Sequence, residues 1–211
     1  MISNAAERLS ARIRPFAAAG LVLVAGASPA FAHHPFEGVA ADQLNLVQGL
    51  LSGLGHPLLG VDHVLFLVAI AFLALQRPGR WMLPLLSVGL AGSLLSQLVP
   101  LAPSLTGVIE SAVSLSLVAE GLIGFGLLPQ TLLLPLIGLH GYMLGSTIVG
   151  AEPTPLLAYG LGLLISQGLL LLLATGMSAR VATLLGSQGR RLAACVWIGL
   201  GAVLAWSAMT A

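Results

Sequence analysis

Apolar residues run along this chain in long blocks, separated by short segments that carry most of its charge and most of its prolines. The blocks lack the strict alternation of a half-buried strand and are long enough to cross about 30 Å of hydrocarbon as helices. Six crossings are predicted, at 61–76, 81–99, 106–127, 132–149, 156–175 and 192–208, preceded by an apolar half-helix at 44–57. Arg77-Pro78-Gly79-Arg80 reads as a tight turn, Pro100–Ser104 and Gly150–Pro155 as loops, and Ser178–Arg191 as a polar linker. Trp81 falls where an interfacial anchor is expected. No repeat of 20 to 50 residues appears.

Residues 1–32 read as a cleaved secretory signal peptide. Arg8, Arg12 and Arg14 form a basic front, Phe16–Ala27 is an apolar run too short to span, and Ala30-Phe31-Ala32 has the small-x-small cleavage pattern. The remaining 33–211 is then a single transmembrane domain. The mature N-terminus, His33-His34, would lie outside the cytoplasm in a bacterial-type inner membrane. On that topology Arg77, Arg80, Arg180, Arg190 and Arg191 all fall inside, and Glu37, Asp42 and Glu152 outside, as the positive-inside rule requires.

Composition supports the same class. The chain has 211 residues, of which 57% are hydrophobic and 7% charged, with 26 glycines that suit close helix packing in lipid. Mean hydropathy is +1.02. A net charge of +1 and the lack of a basic stripe give no nucleic-acid footprint. One cysteine, Cys195, excludes an intrachain disulfide and a CxxC metal motif. No Walker loop, GxGxxG or GxSxG elbow is present. No prosthetic group is expected, and homo-oligomerisation stays open.

Against this apolar background one stretch stands out, Gly53-Leu-Gly-His-Pro-Leu-Leu-Gly-Val-Asp-His-Val-Leu-Phe66. His56, Asp62 and His63 are costly at membrane depth unless they line a protein interior or a hydrated cavity. Pro57 and Gly60 predict a broken helix there. Seven residues at 100° bring His63 to within about 20° of His56 on one helical face, but roughly 10 Å along it. Shared ligation of one ion therefore requires the break to fold the half-helix back; otherwise each histidine serves successive sites along a path. Asp62 could hold a histidine in one tautomer or ligate directly. The bland reading is that His56 and Asp62 cap the two helix pieces, and capping by Asp62 is expected in either case.

Glu110 and His140 are further candidates, the first near serines at the outer end of the third crossing, the second in mid-membrane. Glu120, about 80° around the helix from Glu110, is expected to pair with an arginine or a hydroxyl at a helix end. Gln167 is expected to join helices. His33 and His34, with a free α-amine beside them, could capture a divalent ion.

These residues resemble the HupE/UreJ family of small membrane proteins, implicated in nickel or cobalt uptake. The resemblance rests on His56-Pro-Leu-Leu-Gly-Val-Asp62-His63, the histidine-led mature terminus, Glu110, and His140-Gly141. It implies His56, Asp62, His63, Glu110 and His140 as metal residues, and Ni²⁺ or Co²⁺ as the transported ligand. The chain departs from many members in having Met143, Leu144 and Gly145 where a second histidine follows, and Ser166 and Gln167 where the fifth crossing carries one. The expected function is a secondary permease. The rival is an intramembrane zinc hydrolase in which His56, His63 and His140 hold Zn²⁺ and Asp62 or Glu110 activates water. A structural partner of a metalloenzyme, with histidines that bind nothing, is a third reading.

Overall fold

A computed structural model of the protein describes residues 39–74 and 78–210, and every regular element among them is helical. The expected signal peptide and the His33-His34 pair lie outside the described residues. The elements are α1 (Leu46–Leu59), α2 (Val61–Ala69), a π-helical turn (Ile70–Ala74) that continues α2, α3 (Pro78–Leu98), α4 (Thr106–Gly124), α5 (Leu133–Ser146) and α6 (Pro153–Thr210).

Local chemistry explains the first boundaries. Asn45 and Gln48 form a reciprocal capping box, each side chain accepting the other's backbone N–H at 3.0 Å, which starts α1. The expected break falls at Gly60 rather than at Pro57. Pro57 sits inside the last turn of α1, where its missing N–H removes a single helical bond. Gly60 is extended (φ −79°, ψ 109°), and the axes on its two sides differ by 72°.

Among the described residues, four segments are long and apolar enough to cross a membrane: Arg80–Leu98, Pro103–Gly124, Pro153–Ser178 and Gln188–Thr210. The bent pair Leu46–Leu59 with Val61–Phe72 makes five if counted as one broken span. The block expected at 132–149 is α-helical over the 14 residues of α5, about 21 Å, because the chain turns from Thr147 to Gly150 and Gly150 takes φ +92°. Ser178–Arg191, expected as a linker, is helical and joins the last two segments into one continuous α6. It contains no proline and is rich in Ala, Leu and Arg, all good helix formers.

The most extensive packing is of α4 on α6, α3 on α5, and α1 on α6. Glycines let these pairs approach backbone to backbone: a Cβ on Gly53 would collide with the Tyr159 carbonyl, and one on Gly141 with the Gly89 carbonyl. One apolar cluster joins Phe66, Leu67, Ile70, Leu85, Leu117, Ile137 and Leu171; a second joins Leu44, Leu144, Ile148, Tyr159 and Leu163. Leucines such as Leu83, Leu98, Leu157 and Leu172 and the indole of Trp206 are exposed on the outside, a surface suited to lipid. The protein is an integral membrane helical bundle.

Candidate metal path

Buried polar groups concentrate where α1, α2, α4, α5 and the first part of α6 meet. His56, His63 and His140 are each 3% exposed or less, as deep as the apolar core. The bend at Gly60 brings the His56 and His63 rings to 6.2 Å, nearly parallel, where an unbroken helix would separate the two residues by roughly 10 Å. His140, from α5, approaches His63 edge-on at 4.9 Å. Phe66, one turn after His63, stacks on the other side of His140 at 3.7 Å and holds its ring.

Hydrogen-bond partners assign the tautomer of each ring. The hydroxyls of Tyr159 and Thr147 both donate to the Leu144 carbonyl, so their oxygens accept from His56 Nδ1–H, at 3.1 and 3.3 Å. That leaves the lone pair of His56 on Nε2. His63 Nδ1–H donates to Asp62 Oδ1 at 2.9 Å, and its Nε2 has no hydrogen-bond partner. Ser116 Oγ donates to the Val113 carbonyl at 2.6 Å and so accepts from His140 Nε2–H at 2.7 Å, leaving Nδ1 of His140 with no partner. His63 and His140 are thus each locked by one nitrogen and offer the other, the arrangement found behind metal-ligating histidines.

Asp62 does not cap α2. The N-cap residue is Gly60, no side-chain cap bond is made, and the Asp62 carboxylate lies on His63 instead. Gly60 is what permits this: a Cβ there would stand 3.1 Å from Asp62 Oδ1 and 3.2 Å from His63 Nδ1.

Glu110 is half-buried near the start of α4, six residues before Ser116. It therefore lies about 120° around the helix and about 9 Å from the residue that holds His140. Among the described residues no three His, Cys, Asp or Glu side chains converge on one metal-sized point. The histidines form a string, not a closed cage.

Glu120 does not pair as expected. It is 1% exposed and both carboxyl oxygens lack a hydrogen-bond partner. Gln167 packs across Gly89 of α3, and its side-chain oxygen, like the hydroxyls of Ser52 and Ser166, is buried without a partner. The residues that orient His56, Tyr159 and Thr147, were not singled out from the sequence. The available signal was Tyr159 itself, one of only two tyrosines in the chain, inside a leucine-rich helix.

No curated protein and no solved structure matches the chain. A family model described as HupE / UreJ protein matches residues 21–204, a stretch that holds the bent HPLLGVDH segment, the His63–His140 pair and Glu110. With the broken helix and its locked imidazoles inside a match that covers most of its length, the chain belongs to the HupE/UreJ family.

Proposed function

We propose that this protein is a secondary permease or facilitator that carries Ni²⁺ or Co²⁺ into the cytoplasm through its buried histidines. Family membership implies a nickel- or cobalt-transport-related role. The observation that carries the finer reading is the pair of unpartnered ring nitrogens, His63 Nε2 and His140 Nδ1, on rings 4.9 Å apart, continued by His56 at 6.2 Å. Neutral imidazole suits late first-row divalent ions. Ligands met in succession hold an ion weakly enough to release it, which suits passage. Glu110, near the outer end of α4, and His33 and His34 at the mature terminus would gather the hydrated ion.

The topology that goes with this reading has a cleaved signal peptide, six crossings, and the arginine-bearing connections inside. The zinc hydrolase is the weaker alternative, since a catalytic zinc needs three protein ligands on one ion and the described residues assemble no such group.

The deciding experiment loads proteoliposomes with an internal metal-sensitive dye and applies Ni²⁺, Co²⁺ or Zn²⁺ outside. Saturable entry of Ni²⁺ or Co²⁺ above empty vesicles is the expected result; vesicles no more permeable to any of the three than protein-free ones would reject the permease. A milder effect is expected of Asp62→Asn. The amide offers His63 either an acceptor or a donor, so the tautomer is no longer enforced and ion affinity falls roughly 10- to 100-fold. The half-saturating Co²⁺ concentration for entry measures it, and an unchanged value would remove Asp62 from the site.

A further inference from the structure

We infer that Glu120 is a second ion station, one helical turn beyond the histidines, which receives the divalent ion as it leaves His140. The inference rests on the permease reading and extends it to a residue that neither the HPLLGVDH motif nor the His-Gly pair includes.

Glu120 follows Ser116 by four residues, so it stands on the same side of α4 and about 6 Å farther toward the Gly124 end. Ser116 is the residue that accepts from His140. The string His56, His63, His140, Ser116 thus continues to a carboxyl that is fully buried and has no hydrogen bond to either oxygen. A carboxylate in such a place requires a cation or a proton.

Among the described residues no charged side chain is hydrogen-bonded to the Glu120 carboxyl. On α6, the residues against this level of α4 are Ala194 and Ile198, which pack on Gly121; Arg190 and Arg191, a turn away, are exposed. On the side of α2, Leu117 and Ile123, which bracket Glu120, share one apolar cluster with Leu67, Ile70 and Ala71. On α5 the nearest titratable group along the stripe is His140, held by Ser116, and beyond it on α2 stand His63 and Asp62.

A second feature packs against the same helix. Ile70–Ala74 is π-helical and packs on α4. Such turns are frequent at functional sites. Here the Ala71 carbonyl accepts from the Ser178 hydroxyl at 3.1 Å. A carboxylate holds a late first-row ion less tightly than imidazole does. The ion therefore meets weaker ligands as it advances, and release becomes easier.

The test uses the full-length protein and Co²⁺, with Glu120→Gln as an isosteric variant that keeps the buried volume. Equilibrium dialysis should find one Co²⁺ equivalent still bound to His63→Ala and none to the His63→Ala/Glu120→Gln double variant. In proteoliposomes Glu120→Gln alone should slow Co²⁺ entry at least tenfold, while Glu120→Asp recovers part of the rate. If the single and double variants bind the same number of ions, the station does not exist, whether or not the wild type transports. If Glu120→Gln enters Co²⁺ at the wild-type rate without a proton gradient and only its response to a gradient is lost, the group handles protons and the inference is overturned. A wild type that moves no ion rejects the permease reading by itself, and the dialysis result still decides Glu120.

Discussion

Replacing His63 by alanine is expected to reduce Ni²⁺ or Co²⁺ entry into proteoliposomes to the leak of protein-free vesicles, with the fold intact. His63 is the middle of the string, 6.2 Å from His56 and 4.9 Å from His140. Metal–nitrogen bonds are only about 2 Å long, so an ion cannot pass between the outer two imidazoles without an intermediate ligand. The substitution also removes the imidazole N–H that the Asp62 carboxylate accepts. Removing a partner from a buried charged group costs about 3–5 kcal/mol at full burial, a figure that is smaller here because Asp62 keeps 13% of its side-chain exposure. Thermal unfolding of the detergent-solubilised protein should therefore fall by several degrees without collapse. His63→Gln, which restores an N–H donor but no imidazole lone pair, should recover the stability and not the transport. Transport by either variant at the wild-type rate would show that the ion takes another route.

The second large effect is structural. Gly141→Val is expected to prevent the bundle from assembling. A Cβ at Gly141 would lie inside the van der Waals sphere of the Gly89 carbonyl oxygen, with the Gly89 carbonyl carbon at 2.7 Å. The obstacle is backbone, so no rotamer change relieves it. The same interface repeats the contact at Gly92 against the Gly138 carbonyl and at Gly145 against Ser93, so α3 and α5 cannot part at one point without parting along their length. Overpacking of an ordinary core costs about 1–3 kcal/mol; a backbone clash in a glycine seam exceeds that, and total stability is only about 5–15 kcal/mol. Fluorescence-detected size exclusion should show the monodisperse peak lost for Gly141→Val and kept for Gly160→Ala, where an added Cβ meets nothing within 4 Å. A Gly141→Val protein that elutes and melts like wild type would mean that α3 and α5 do not pack as described.

The two effects share an origin. His140 and Gly141 are neighbours, and the glycine seam that lets α5 close on α3 also fixes where His140 points. The imidazole reaches Ser116 on α4 and His63 on α2 because α5 sits close enough for both. Small residues here set the distances of the path as well as the stability of the bundle.

The sequence by itself determined the class and the centre of the protein. Blocks of apolar residues specify membrane helices because a lipid-exposed backbone must bond to itself. The cost of ionisable groups in that medium singles out His56, Asp62, His63 and His140 without any structure. Glycine at position 60 allowed a break to be expected, since nearby residues alone set backbone freedom. The tertiary structure decided what those residues touch. The partners of the rings come from far along the chain: Tyr159 is 103 residues from His56, Thr147 is 91, and Ser116 is 24 from His140. No local pattern encodes such pairings, which follow from how whole helices dock. Docking also decided that Glu120 is buried with no hydrogen-bond partner on either oxygen. Local rules name the groups that are expensive to bury; only the packing of α1 to α6 around them settles how that cost is met.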